Sequence, residues 1–289
     1  MSSHLLIFGF GYTARFLAKK ANEHGFQVTA TTRQYDTLRG TREGDCQLIP
    51  FSDNRVEEAL TSASHLLIST PPTQDSGDPV ISRFTSLLKQ HIHTIQWIGY
   101  LSSTSVYGDH EGRWVDESTE PNAPGKQGQL RLAAENAWAA FATQYQLPLH
   151  IFRLAGIYGP GRNALARLSA GKQETIVKEG HCFSRIHVDD IVLTILAAMQ
   201  QTTPGTTIYN VADDEPCPSH IVDEYAASLL QHPPLKQIGY DSVDLSPMAQ
   251  EFYSHHKRVS NAKLKKELHL QLTHPTYKDG LQHLLREGY

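Results

Sequence analysis

The feature that most constrains this chain lies at its start. An apolar run, His4–Phe8, passes directly into Gly9-Phe10-Gly11-Tyr12-Thr13-Ala14, a G-x-G-x-x-A turn that opens a helical pattern. Each small residue has a task in such a turn. Gly9 permits a tight reversal, Gly11 lets the backbone approach a pyrophosphate, and Ala14 lets helix and strand pack closely. With Tyr12 and Thr13 at its first positions, the helix offers N–H groups and a partial positive charge to phosphate. A chain built on this turn is expected to hold a dinucleotide.

The next strand, Phe26–Thr31, sets the expected cofactor. Where an acid would accept the 2′-hydroxyl of NAD, the chain has Thr32-Arg33. A guanidinium fork matches the 2′-phosphate of NADP, whereas Asp36, three residues on, leaves NAD open. Further strands are expected at Cys46–Phe51, His65–Ser69, Thr94–Ser102 and Leu149–Leu154. They alternate with helices over Tyr12–His24, Arg55–Ser62, Pro79–His91 and Lys126–Tyr145, an order that implies a parallel sheet wound on both faces. The expected class is therefore α/β: a Rossmann-type doubly wound parallel sheet with a small C-terminal substrate lobe. Residues 1–165 plus 183–215 form the dinucleotide-binding domain, and residues 166–182 plus 216–289 the lobe. In the second half, Asp189 or Asp190 is expected to cap a helix over Ile191–Gln200. Thr207–Val211 reads as a strand, and Ser219–Gln231 and Leu281–Arg286 as helices. The tail is expected to lie over the sheet's carboxyl edge as a lid.

Composition removes several classes. In 289 residues, 26 Lys and Arg stand against 30 Asp and Glu, a net charge of −4, so no basic field points to nucleic acid. Cys46, Cys182 and Cys217 are scattered, with no C-x-x-C pair, which suits a reducing cytoplasm. No stretch reads as a leader or approaches the roughly 20 apolar residues of a membrane helix. Among the 16 histidines, His91/His93 and His255/His256 lack Asp, Glu or Cys partners at ligand spacing, so no metal is expected.

Five segments follow in order: Leu101-Ser102-Ser103-Thr104-Ser105-Val106-Tyr107-Gly108; Phe152-Arg153-Leu154-Ala155-Gly156-Ile157-Tyr158-Gly159-Pro160-Gly161; Ile186-His187-Val188-Asp189-Asp190; Tyr209-Asn210-Val211; and Val259 through Leu268. Together they resemble the extended short-chain dehydrogenase/reductase superfamily, in its NAD-dependent epimerase/dehydratase branch, nearly end to end. The resemblance implies an oxidoreductase or epimerase acting on a nucleotide sugar or other small carbonyl compound. It places Ser103 at the reacting oxygen and Ser69-Thr70-Pro71 beside the cofactor's ribose and pyrophosphate. Leu154 and Ala155 come near the nicotinamide, and Thr104 and Arg185 line the substrate pocket. Ser103 satisfying buried backbone and Arg185 forming a surface ion pair remain the plainer alternatives. The resemblance also implies a homodimer through the helix that carries Trp138 and Phe141, residues that suit the core equally well.

One part of the family pattern is missing. A tyrosine and a lysine spaced Y-x-x-x-K normally open the helix after V-Y-G; the tyrosine moves a proton while the lysine lowers its pKa and holds ribose. Anchored on Ala133-Ala134-Glu135, this chain has Gln127 and Arg131 in those places, and residues 108–144 contain no tyrosine. Tyr253 and Lys257 share the spacing only by coincidence. An amide cannot relay a proton, although Arg131 keeps a charge for ribose. Tyr107, Lys126, His181 and Glu117 are the candidate replacements. The departure is similar to that of the YeeZ-like subgroup, and its alternative reading is a non-catalytic NADP-binding redox sensor or protein-interaction module.

Overall fold

The computed structural model describes residues 3–33, 46–123 and 125–289. In chain order the elements are β1 His4–Phe8, α1 Tyr12–Glu23, β2 Gln27–Thr32, β3 Gln47–Pro50, α2 Asp53–Leu60, β4 His65–Ile68, α3 Pro79–Gln90 and β5 Trp97–Ser103. A 3-10 turn, Thr104–Tyr107, leads to β6 Trp114–Val115, α4 Lys126–Tyr145, β7 Pro148–Leu154, β8 Gly156–Tyr158, α5 Ala164–Ser169, β9 Glu174–Val177 and β10 Arg185–His187. Then come α6 Val188–Ala198, β11 Gly205–Val211, α7 Ser219–Leu229, β12 Lys236–Gly239, α8 Pro247–Ser254, β13 Arg258–Val259, α9 Ala262–Glu267 and α10 Tyr277–Glu287.

The chain divides into two compact units. The first comprises Met1–Ser103, Gln129–Arg153 and Val192–Tyr209; the second comprises Thr104–Gly128, Leu154–Ile191 and Asn210–Tyr289. Seven of the described strands form the main sheet, in the order β11-β7-β5-β4-β1-β2-β3. The β1–β2, β2–β3, β1–β4 and β4–β5 pairs are parallel. Because β1 sits between β2 and β4, the windings leave it in opposite directions, and a crevice opens at the carboxyl ends of β1 and β4. Every residue of β1 and β4 is buried, which is why these strands read as unbroken apolar runs rather than alternating ones. The doubly wound α/β expectation is met.

Two devices hold the first unit together. His65, Trp97, His150 and Tyr209, on β4, β5, β7 and β11, form a row of rings with successive centroids 6.0, 5.8 and 6.0 Å apart. Gly99 makes room for this row, since a Cβ there would fall 2.2 Å from the Trp97 ring. The second device is ionic. Glu135 on α4 and Arg153 on β7 are each 3% exposed and meet at 2.8 Å, with Arg153 Nε donating to the same carboxylate and the Ser102 hydroxyl donating to its Oε1. Trp138 and Phe141, on the same helix, pack edge to face in the core, where they are unavailable to a dimer interface.

In the second unit, α5, α7 and α10 close around Tyr158, Leu165, Ala226 and Leu281. Short parallel pairs join β8 to β10, β9 to β12 and β6 to β13. The sequence reading passed over most of these strands, because two to four residues are too few to establish a period. Two boundaries are corrected. α6 begins at Val188, so Asp189 and Asp190 lie inside its first turn instead of capping it. α10 begins at Tyr277, four residues before the expected Leu281, because Thr276 and Asp279 form a reciprocal capping box.

Removing one partner of the Glu135–Arg153 pair strands a charge in the interior. Glu135→Ala is expected to lower stability by about 3–5 kcal/mol in urea titration. Replacing both residues with apolar side chains of similar size should cost much less. A loss under about 1 kcal/mol for the single variant would refute this account.

Candidate functional site

β1 ends in a turn shaped by its glycines. Gly9 has φ +98°, and a Cβ there would stand 3.0 Å from Thr70 Cγ2 and 3.1 Å from the Thr70 amide nitrogen. The loop after β4 therefore presses directly on the turn after β1. Three bonds tie this region to its neighbours: Gly9 N donates to Thr31 Oγ1 (3.0 Å), Phe10 N to the Thr31 carbonyl (2.9 Å) and Ser69 N to the Phe8 carbonyl (2.9 Å). Gly11 is extended and exposed and starts α1 without a side-chain cap, and no protein atom lies within 4 Å of where its Cβ would be. The helix N-terminus is thus left open to an anion. Behind it, Thr13 and Ala14 are buried and seat the helix, and Tyr12 is half-buried.

These elements enclose a cleft of about 590 Å³, lined by Gly9, Gly11, Thr32, Arg33, Ser69, Thr70 and Pro71 among others. The structure therefore brings together most of the residues assigned from sequence to the cofactor. Arg33 is exposed at the end of β2. Asp36, which left NAD open, lies outside the described residues. Thr70 Oγ1 is buried yet has no hydrogen-bond partner, an orphan polar atom at the wall of the cleft. Phe51, just past β3, also lines the cleft and was missed from sequence. An aromatic residue after an apolar strand gives no signal that separates lining from core.

The row Phe8–Ile68–Tyr100 aligns β1, β4 and β5, so Ser103, three residues beyond Tyr100, stands at the same carboxyl edge one strand from the cleft. Arg131 is half-buried on α4 and donates from Nη1 to the Leu101 carbonyl at 2.6 Å. Gln127 is exposed on the first turn of that helix. The residue that the sequence puts in the tyrosine's place, Gln127, is not titratable.

The candidate replacements are placed as follows in the second unit. Tyr107 is fully buried and donates to Asn210 Oδ1 at 2.8 Å, while Glu117 accepts from the Asn210 amide at 2.7 Å. Burial raises the Glu117 carboxyl above the usual carboxylate range. His181 is stacked on His256 with centroids 4.7 Å apart, and burial first, then the His256 charge, lowers its pKa to about 4. Lys126 is exposed. Lys257, of the coincidental Tyr253/Lys257 spacing, instead donates to the Gly108 carbonyl at 2.9 Å, and burial pulls its pKa down to about 8.

Of the remaining expected residues, Thr104 is half-buried at the start of the 3-10 turn. Leu154 and Ala155 are buried, and Ala155 N donates to the Val211 carbonyl at 3.0 Å. Among the described residues Arg185 makes no surface ion pair. Its Nη1 donates to the carbonyls of Phe183 (2.9 Å) and Cys217 (2.8 Å), and the buried Asp213 supplies the nearby opposite charge. Burial holds the Asp213 carboxyl well above its ordinary value, against the Arg185 charge.

Comparison with known proteins agrees with this architecture. Residues 86–212 match the model of the NAD dependent epimerase/dehydratase family. Protein YeeZ of Escherichia coli (strain K12) is 30% identical over 252 residues, covering 82% of this chain and 87% of that protein. The structure of a functionally unknown conserved protein from Silicibacter pomeroyi DSS superposes with a TM-score of 0.90 at 41% identity, covering 99% of each chain. MoeE5 in complex with UDP-glucose and NAD shares the fold, with a TM-score of 0.72 at 19% identity over 99% of each chain.

Gly9→Ala should be costly, because both its backbone angle and the Thr70 contact oppose a side chain. A loss of about 1–3 kcal/mol in chemical denaturation is expected. An unchanged midpoint would mean that the turn is not under the constraint described.

Proposed function

This chain belongs to the NAD-dependent epimerase/dehydratase family, and from that premise we propose that its N-terminal cleft binds NADP in preference to NAD. The observation that carries the reading is the open, uncapped N-terminus of α1 between Gly9 and Thr70, with Arg33 at the rim. The residues fit the group. Gly9 and Gly11 clear backbone space for a pyrophosphate, and Thr70 Oγ1 is an unpaired donor beside it. Arg33 offers a guanidinium to a 2′-phosphate. Ser69 and Pro71 would flank the ribose, Arg131 would hold ribose hydroxyls, and Leu154 and Ala155 would lie near the nicotinamide.

The proposed activity is that of an oxidoreductase or epimerase on a nucleotide sugar or a small carbonyl compound. This follows the family and relatives such as MoeE5, which was solved with UDP-glucose and NAD. Bound nicotinamide would supply the hydride chemistry. Ser103 would hold the reacting oxygen, and Thr104 and Arg185 would contact substrate. Gln127 orients by hydrogen bonding but moves no proton. The proposed homodimer would draw on residues other than Trp138 and Phe141, and sedimentation returning a monomer removes it.

A second reading, a non-catalytic NADP-binding sensor or interaction module, is favoured by one observation. With Gln127 in the tyrosine's place and Tyr107 engaged by Asn210, neither position offers a proton relay.

Titration of nicotinamide fluorescence with NADPH and NADH tests the cofactor. Arg33→Glu is expected to weaken NADPH binding by about tenfold or more, roughly 1.4 kcal/mol, with little effect on NADH. Equal losses for both would remove the Arg33 assignment, and no binding of either would remove the proposal. Oxidation of bound NADPH by any nucleotide sugar or carbonyl in a panel supports the enzyme; tight binding without turnover supports the sensor.

A further inference from the structure

Outside the cleft, the second unit gathers three imidazoles and a carboxylate that no part of the proposed chemistry uses. His187 ends β10, Asp189 lies in the first turn of α6, His274 follows in the segment before α10, and His283 is on α10. His187 Nδ1 lies 3.4 Å from Asp189 Oδ2, and His274 Nε2 lies 3.5 Å from the same oxygen. One donor atom from each of His187, Asp189 and His274 lies within 4.8 Å of the others. The His283 ring centroid is 4.8 Å from that of His274 and 6.1 Å from that of His187.

The surrounding fold holds these groups in place. Asp190, fully buried, accepts the amides of Thr273 (2.6 Å) and His274 (3.0 Å), which fixes the backbone that presents His274. Tyr158 packs edge-on against His187 with centroids 5.1 Å apart. On α10, Gly280 lets the helix close on that same tyrosine: a Cβ there would fall 2.1 Å from the Tyr158 hydroxyl. His283 follows one turn later on the same helix face. Four chain segments thus converge, and each is anchored by packing or by hydrogen bonds of its own.

The cluster is nonetheless under-satisfied. His187 is 0% exposed, and its Nε2 has no hydrogen-bond partner. Its Nδ1 meets the Asp189 amide at 3.2 Å. Because Nδ1 accepts that amide, Nε2 is the N–H nitrogen, and an ion ligated at Nδ1 would take the place of the amide contact. The spacing is also suitable. A tetrahedral ion with bonds of about 2.0–2.1 Å has ligand–ligand edges of roughly 3.3 Å, close to the two carboxylate–imidazole distances. Imidazole with a single carboxylate suits zinc and its first-row neighbours more than calcium or magnesium, which prefer all-oxygen sets. Asp189, at 43% side-chain exposure, gives a route from solvent.

We propose that His187, Asp189 and His274 bind one divalent first-row transition-metal ion of the zinc class. The ion would tie β10, the first turn of α6 and the segment before α10 together within the second unit.

The test uses the full-length chain without a histidine tag, stripped by chelator and dialysed. Zn²⁺ is titrated in competition with a chromogenic chelator, and Co²⁺ is followed by its visible absorption. One Zn²⁺ per chain and an intense tetrahedral-type Co²⁺ spectrum are expected. His274→Gln and Asp189→Asn should each weaken Zn²⁺ binding by about a hundredfold or more, at or beyond the upper end of what loss of an outer-shell partner costs. Both should abolish the Co²⁺ spectrum. Asp189→Asn, at a half-exposed position, keeps the test valid if His274→Gln fails to fold, and circular dichroism checks each variant. Absence of Zn²⁺ binding by the wild type would overturn the proposal. So would binding that survives both substitutions, which would assign the ion to other histidines.

Discussion

The first unit is organised around one close approach, the contact of Gly9 with Thr70. β1 and β4 are adjacent and parallel, and the chain leaves their carboxyl ends in different directions. The two exits lie so close that a Cβ at Gly9 would stand 3.1 Å from the Thr70 amide nitrogen and would push them apart. From that contact follow the tight turn into α1, the exposed start of that helix at Gly11 and the cleft floor at Ser69–Thr70. The cleft is a consequence of sheet topology before it is a matter of its lining residues.

The helix α4 has a divided character. In the family it resembles, its first turns carry the proton relay. Here the sequence has Gln127 and Arg131 at the corresponding positions, and the helix is tied down by several contacts. Glu135 takes the Arg153 guanidinium and the Ser102 hydroxyl, Trp138 and Phe141 enter the core, and Arg131 reaches the Leu101 carbonyl. None of these contacts depends on a titratable group at residue 127. That separation is the physical basis for holding both an enzymatic and a binding reading, since a pocket and a relay rest on different residues.

Much of this was legible beforehand. The G-x-G-x-x-A turn, the unbroken apolar strands and the 20-residue α4 each carry a strong local pattern; Gly9, Gly11 and Arg33, read from residue pattern, line the cleft together with Ser69–Pro71, which the family resemblance had implied. The cluster around His187 was not. His187 and Asp189 are separated from His274 by more than 80 residues of intervening chain, and Asp190, which positions His274, resembled a helix cap. Ligand-spacing rules look along the chain, whereas this cluster is assembled across β10, α6 and α10. The same applies to Tyr107: its V-Y-G segment is visible in sequence, but its engagement by Asn210 depends on a strand a hundred residues away.

The sequence by itself determined the parallel sheet, the phosphate-type turn and the absence of a tyrosine from residues 108–144, because each follows from residue type and near-neighbour spacing. Only the tertiary structure decided that Trp138 and Phe141 are core, that Arg185 binds carbonyls, that Thr70 is left unpaired at the cleft and that two histidines meet one aspartate with a third ring beside them. Those outcomes depend on which distant segments exclude water from one another, and no local period encodes that.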